Sequence, residues 1–344
     1  LQGEWGFNGR CRDAISSVCA MSTASSPSRF IAPLTGASTS PDGLAVPRDF
    51  GARHGDGLHF GLSLGGGGIF FVAWQVTYLH EMASRGIDLS GAQRIVGTSA
   101  GSMTAAVLQN DSIGRFDKQL SVMAKIPALV AKLAPASDFS PSQQRALDLF
   151  GTATDASGET LRRIGGAALA AAAPAPSVME RNSGLVILSR KWKSPALHIT
   201  CIDTYTGERC VITRDSNIPI ARAVAASSAI PGVFSPQPIG DRRCMDGGVS
   251  GSGTHLDLLA GAERVVVLSL IDGSPTEVGG MTQAPGAFHS ELDELRASGS
   301  QLFLRSPETM DIARLMDPKA VPEAIAMARR QAAADADALR EFIA

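Results

Sequence analysis

Three short stretches of this 344-residue chain carry residue types that could do chemistry together. In Gly97-Thr98-Ser99-Ala100-Gly101 a serine sits between two glycines, directly after the apolar Ile95-Val96 and directly before Met103-Thr104-Ala105-Ala106-Val107-Leu108. A sharp strand-to-helix turn needs small neighbours to push a serine oxygen clear of the backbone, and the helix that follows would favour negative charge there. Ser99 is therefore a candidate nucleophile, with Gly97 and Gly101 forming its elbow. Gly65-Gly66-Gly67-Gly68 closes an earlier apolar run. If both turns leave a parallel sheet at one edge, backbone N–H groups of these glycines can serve as an oxyanion hole, which needs donors about 3 Å from the developing charge. Asp246 follows a short strand and precedes Gly247-Gly248. Its reference pKa of about 3.9 makes it a weak base, which partial burial would improve.

Each stretch also has a plainer reading. Gly-Thr-Ser-Ala-Gly could be an ordinary βα turn, and Asp-Gly-Gly is more often a turn than a catalyst. A glycine-rich turn after a strand could hold a dinucleotide, but Phe70 stands where that fingerprint wants its third glycine, and no Gly-Lys-Ser/Thr occurs. Six histidines, at 54, 59, 80, 198, 255 and 289, include no obvious relay motif. His255 and His289 lie late enough for a Ser, acid, His order, which keeps a triad open beside a Ser–Asp pair.

The elements that must position these residues are legible in part. Leu58–Leu64 reads as a strand, 69–85 as a helix, Arg94–Val96 as a strand and 99–109 as a helix, an order that implies parallel pairing and a right-handed crossover. Residues 196–202 and 209–213 read as a hairpin, 218–229 as a helix stopped by Pro231-Gly232, and 243–245 as a short strand. Residues 263–270 form a near-continuous apolar strand of the doubly covered type, 301–304 a last strand, and Pro322 suits the first turn of a C-terminal helix. Residues 111–185 give only weak helix and loop signals. Residues 1–57 are expected to be a flexible leader, because 21–57 are rich in Ser, Thr, Pro and Gly with no sustained period. The chain starts at Leu1 with its first methionine at Met21, a pattern compatible with an upstream extension over 1–20.

Composition narrows the classes. With 44% hydrophobic residues the chain can bury a large core, and a net charge of −2 with interspersed signs gives no nucleic-acid footprint. No apolar run approaches the ~18 residues of a membrane span, and no secretory signal is visible. Five cysteines without metal spacing suit a reducing, cytoplasmic compartment, although Cys201 and Cys210 could meet across the hairpin as a disulfide.

Taken together, "LSLGGGG", "GTSAG", "LHITCIDTYTGERCVIT" and "ASSAIPGVFSPQPIGDRRCMDGG" resemble the patatin-like phospholipase family, over about Leu58 to the C-terminus with a weak middle. The resemblance implies a three-layer α/β/α fold with a mainly parallel sheet over 58–344. It implies Ser99 as nucleophile, Asp246 as its dyad partner and an oxyanion hole in Gly65, Gly66, Gly67 and Gly68. It implies hydrolysis of lipid acyl esters, of phospholipase A or lysophospholipase type, with no metal or cofactor, and a peripheral membrane or micelle as the surface met. Ser227–Phe234 would pack beside the site as a structural shoulder. The chain departs from the family at Phe70 and Phe71, where small or basic residues are common, and at Thr77, where glycine is common. The two phenylalanines would either displace an oxyanion donor, leaving a lipid-binding or regulatory protein of impaired activity, or wall an acyl pocket.

Overall fold

A computed structural model describes residues 38–125, 138–189, 191–274, 284–309 and 311–344. Its frame is an eight-stranded sheet. β1 (Phe60–Leu64) and β2 (Arg94–Gly97) are joined through α1 (Gly68–Ser84), and β2 runs into α2 (Ala100–Gln109). Among the described residues, four helices then precede the next strand: α3 (Ile113–Met123), α4 (Pro141–Gly151), α5 (Gly158–Ala170) and α6 (Pro176–Ile187). They fall largely in the segment 111–185 whose sequence signals are weak, of which 126–137 lie outside the described residues. β3 (Leu197–Asp203) and β4 (Arg209–Ile212) form the expected hairpin, followed by α7 (Ile220–Ser227), β5 (Gln237–Ile239) and β6 (Arg242–Asp246). The chain ends with β7 (Arg264–Leu268), α8 (Ala287–Ala297), β8 (Gln301–Arg305) and α9 (Val321–Ile343).

The strand order is β5-β6-β3-β2-β1-β7-β8, with β4 paired to β3. The five strands from β3 to β8 are parallel, whereas β4, β5 and β6 run the other way from the neighbours they pair with. Side chains alternate across this sheet as a period of two requires. Leu62, Leu64, Ile95, Val266 and Leu268 face α1, α2 and α9, while Val96, Val265 and Val267 face Leu256–Leu259 and α8. α4 and α5 cover the antiparallel end through Phe150, Leu161 and Ile164, which meet Ile202 and Met245. The result is the mainly parallel, helix-covered α/β architecture that the sequence implied.

Two sequence expectations change. Residues 44–46, within the segment read as a flexible leader, are buried, and Ala45 bridges Cys210 at the edge of the hairpin. Small apolar residues fit there because Val46 N donates to Arg209 O and Val211 N to Leu44 O, so this stretch acts as a strap on β4. Residues 1–37 lie outside the described part. Cys201 and Cys210 do face each other, but as buried free thiols with Cys244 beside them.

Candidate active site

The elbow is built by steric exclusion. β1 and β2 are parallel, with Leu64 opposite Gly97, so the turns after them leave the sheet side by side. A Cβ on Gly101 would overlap the Leu64 carbonyl, so only glycine lets α2 start this close to β1. Ser99 itself adopts φ 51°, ψ −118°, a strained region for a non-glycine residue that costs on the order of 1–3 kcal/mol. Three serines hold it there. Ser99 N donates to Ser227 Oγ at 2.9 Å, Ser102 Oγ donates to Ser99 O at 2.7 Å, and Ser228 Oγ donates to the same oxygen at 3.4 Å. Ser227 and Ser228 close α7, so the expected shoulder makes direct hydrogen bonds to the strained residue.

Asp246 arrives from the opposite direction. β6 is antiparallel to β3 and stops where Asp246 faces Cys201, two residues beyond the β3 partner of Gly97. Ser99 is likewise two residues beyond Gly97, so the two registers bring both side chains to one level. Asp246 is 4% exposed. Its Oδ1 accepts Gly248 N–H at 2.8 Å, whereas Oδ2 is buried and meets no hydrogen bond of good geometry. Burial pushes the carboxyl up to about 6, against the opposing pull of the Ser99 hydroxyl and the Gly248 N–H. A carboxyl poised there can take a proton near neutral pH and give it back.

The glycine turn divides its work. Gly65 N donates to Leu268 O at 2.9 Å and Gly66 N to Gly253 O at 3.2 Å, so these two N–H groups fix the turn. Gly66 also lies close against Ser99, since a Cβ there would sit 3.3 Å from Ser99 Cβ. The N–H groups of Gly67, Gly68 and Ala100 make no hydrogen bond among the described residues. Gly68 opens α1 with φ +64° and lines the same cavity as Ser99 and Ala100. Three free donors at two helix N-termini suit an anion.

That cavity has a volume of about 680 Å3 and lies between α1, α2, α3 and α6. Its walls include Ile69, Val72, Met103, Phe116, Leu120 and Met179. Phe70 and Phe71 are not among the lining residues. Both are buried in the core, and the Phe71 ring stacks on Trp74 at 5.4 Å while the Phe70 N–H donates to Leu315 O. They do not wall the cavity; helix spacing turns their neighbours Ile69 and Val72 to it instead. Thr77 uses its hydroxyl to reach Asp117 at 2.6 Å, pinning α1 to α3.

The histidines stand apart from the pair. His289 bonds Gly273 O and Asp293, His198 bonds Ala196 O, and His59 pairs with Glu263 at the surface. His255 is fully buried against Gly247 O and Arg209. None hydrogen-bonds Ser99 or Asp246 among the described residues. No group of side chains among those residues could hold a metal ion, and no helix there is long and apolar enough to cross a membrane.

The type III effector protein ExoU is similar at 14% identity, over 83% of this chain and 53% of ExoU, with a TM-score of 0.32. VipD from Legionella pneumophila is similar at 14% identity, over 87% of this chain and 70% of VipD, with a TM-score of 0.32. This chain thus spans about half the length of ExoU. No curated protein matches it in sequence. The profile of the patatin-like phospholipases matches residues 62–259, more than half of the chain and a span that holds Ser99 and Asp246. The chain belongs to the patatin-like phospholipase family.

Proposed function

We propose that the protein hydrolyses acyl esters of lipids, as a phospholipase A or lysophospholipase, through a Ser99–Asp246 dyad. One observation carries the reading: a serine held at φ 51° on the wall of an apolar cavity has its hydroxyl acting on a buried carboxyl raised to about 6. Ser99 Oγ attacks the ester carbonyl carbon while Asp246 accepts the hydroxyl proton. The oxyanion formed takes hydrogen bonds from Gly67, Gly68 and Ala100 N–H, with Gly65 and Gly66 holding the turn in place. Collapse breaks the ester C–O bond, and the departing alcohol takes the proton from Asp246. Water, deprotonated by Asp246, then attacks the acyl-serine; its collapse releases the fatty acid and returns the proton to Ser99. No step requires a metal or cofactor. The apolar walls suit an acyl chain, whose burial gains about 0.8 kcal/mol per methylene.

The surface around the cavity mouth suits a lipid aggregate. Lys118, Val122 and Lys125 line one exposed edge of α3 and its end, and Arg181, Leu185 and Leu188 line the matching edge of α6, each at i, i+4, i+7. Val122 is 57% exposed and Leu185 66%, and both also line the cavity. Arg115 Nη2 donates to Val186 O at 2.8 Å and ties the helices together. Neither helix alone is strongly basic and amphipathic, but the pair presents aliphatic side chains between cations, a pattern suited to an anionic interface.

The experiment is fluorophosphonate labelling together with product analysis of a mixed lipid extract, wild type against Ser99→Ala. Expected are a labelled Ser99, released fatty acid, and loss of both in the variant. Labelling that persists in Ser99→Ala would overturn the reading, and the lipids consumed identify head group and acyl position.

A further inference from the structure

His255 lies in the interior with no contact to Ser99, yet it is built into the structure with unusual care. Its backbone is left-handed at φ 49°, ψ 51°, and its N–H donates to Ser252 Oγ at 2.8 Å. Its ring bridges two features. On one side Arg209 Nη1 lies 3.3 Å from Nδ1, and on the other Nε2 lies 3.3 Å from Gly247 O. Arginine has only donors, so Nδ1 must accept, and the ring proton sits on Nε2, directed at Gly247 O. The ring is neutral: burial and Arg209 hold its pKa far below the usual value, at about 3.

Gly247 O and Gly248 N belong to one planar peptide unit, with the carbonyl and the N–H pointing in opposite directions. The carbonyl accepts from His255, and also from Ser250 Oγ at 2.9 Å; the N–H donates to Asp246 Oδ1 at 2.8 Å. A rotation of this unit therefore moves the only N–H bound to the Asp246 carboxyl among the described residues. Behind His255 stands a rigid anchor. Arg209 grips Asp257 with two bonds of 2.6 Å, and its remaining donors reach Val46 O and Pro47 O of the strap, both at 2.9 Å. Asp49 N closes the ring on Asp257 Oδ2 at 3.2 Å. A fork-to-fork ion pair of this kind is directional as well as strong.

We propose that His255 is a positioning residue for Asp246, transmitting the fixed geometry of the Arg209–Asp257 pair to the Gly247–Gly248 peptide unit. This rests on the Ser99–Asp246 reading. Charged groups acting on His255 are Arg209, Asp257 and Arg48; on Asp246 act two neutral donors, the Ser99 hydroxyl and the Gly248 N–H, against its burial.

The test compares full-length His255→Asn and His255→Gln, with Asp246→Asn as a control, by turnover of p-nitrophenyl butyrate across pH and by thermal melting. Asparagine tolerates the left-handed backbone but is too short to span from Arg209 to Gly247 O. Glutamine can accept from Arg209 and donate to Gly247 O. Expected for His255→Asn is a kcat lower by about 10- to 100-fold with KM within about twofold, as a misplaced reacting group produces. Its acid limb should move to higher pH, because Asp246 loses a donor to its charged form. His255→Gln should recover most of kcat and the wild-type limb. A folded His255→Asn with wild-type kcat and limb overturns the proposal, as does a His255→Gln no better than His255→Asn. Should His255→Asn not fold, Ser250→Ala weakens the hold on the same carbonyl; a shift of the same sign supports the proposal and an unmoved limb overturns it. Wild-type turnover by Asp246→Asn would instead overturn the dyad itself, whatever the histidine variants do.

Discussion

The turn that carries Ser99 and the turn that carries Asp246 meet at one point but are held in different ways. Ser99 is fixed mainly by exclusion: Gly101 lies against the Leu64 carbonyl, Gly66 lies against Ser99 Cβ, and the strained backbone is capped by serines 102, 227 and 228. Asp246 is fixed by a chain of hydrogen bonds that runs through Gly247, His255, Arg209 and Asp257 to the strap at 46–49. Exclusion tolerates no added atom, whereas a hydrogen-bonded chain can yield gradually. Damage to the first turn should therefore appear in folding, and damage to the second in catalysis.

The sharpest way to break this contrast is Gly101→Ala. One methyl group has no room beside β1, and we expect a loss of more than about 3 kcal/mol or no folded protein, read by denaturant melts. A Gly101→Ala that melts like wild type would show that the elbow is not held by exclusion. Asp246→Asn should do the reverse. Its kcat should fall by about 10^3–10^4-fold, the range seen when one member of a concerted catalytic group is lost. Its stability should rise. Because burial pushes the folded carboxyl up to about 6 from the ordinary value of 3.8 that holds in the unfolded chain, the folded state binds more protons between the two, so wild-type stability falls as pH rises through that window. Removing that cost should stabilise the neutral-pH protein by on the order of 1–3 kcal/mol, measured as a higher melting temperature at pH 7 that narrows towards pH 4.

The same titration sets the pH dependence of activity. kcat/KM should decline below about pH 6 as Asp246 takes up a proton and can no longer accept one from Ser99. A profile flat down to pH 4.5 would remove Asp246 as the base. A smaller effect is expected at Gly248→Ala, whose Cβ would sit 3.2 Å from Asp246 Oδ1: a few-fold loss of kcat with little change in melting temperature. The smallest concerns the cavity mouth. Leu188→Asp with Lys125→Glu should reduce co-sedimentation with phosphatidylglycerol vesicles several-fold while soluble-ester turnover stays the same; unaltered sedimentation would move the lipid contact elsewhere.

Local patterns explain why some of this was readable from the sequence. The Gly97–Gly101 pentad encodes a turn whose constraints lie within five residues, and the flanking strand and helix follow from period and glycine content. The antiparallel β6 was read as a strand without its direction, and its direction is what carries Asp246 down to the level of Ser99. The helices α3 to α6 lie largely in a segment, 111–185, that gives only weak helix and loop signals, and α8 has no reading in the sequence. The leader assignment failed at 44–49 because the partners of those residues are far along the chain, beyond the reach of a composition window.

By itself the sequence determined the family, the nucleophile and acid as candidates, and the glycine turn, since each depends on backbone geometry that only particular residue types permit. Tertiary structure decided which glycine N–H groups remain unpaired, that Phe70 and Phe71 turn into the core, and that His255 faces a peptide unit instead of the serine. Those outcomes depend on which distant groups meet, through register across strands and hydrogen bonds spanning up to some two hundred positions in the chain, and no local pattern contains them.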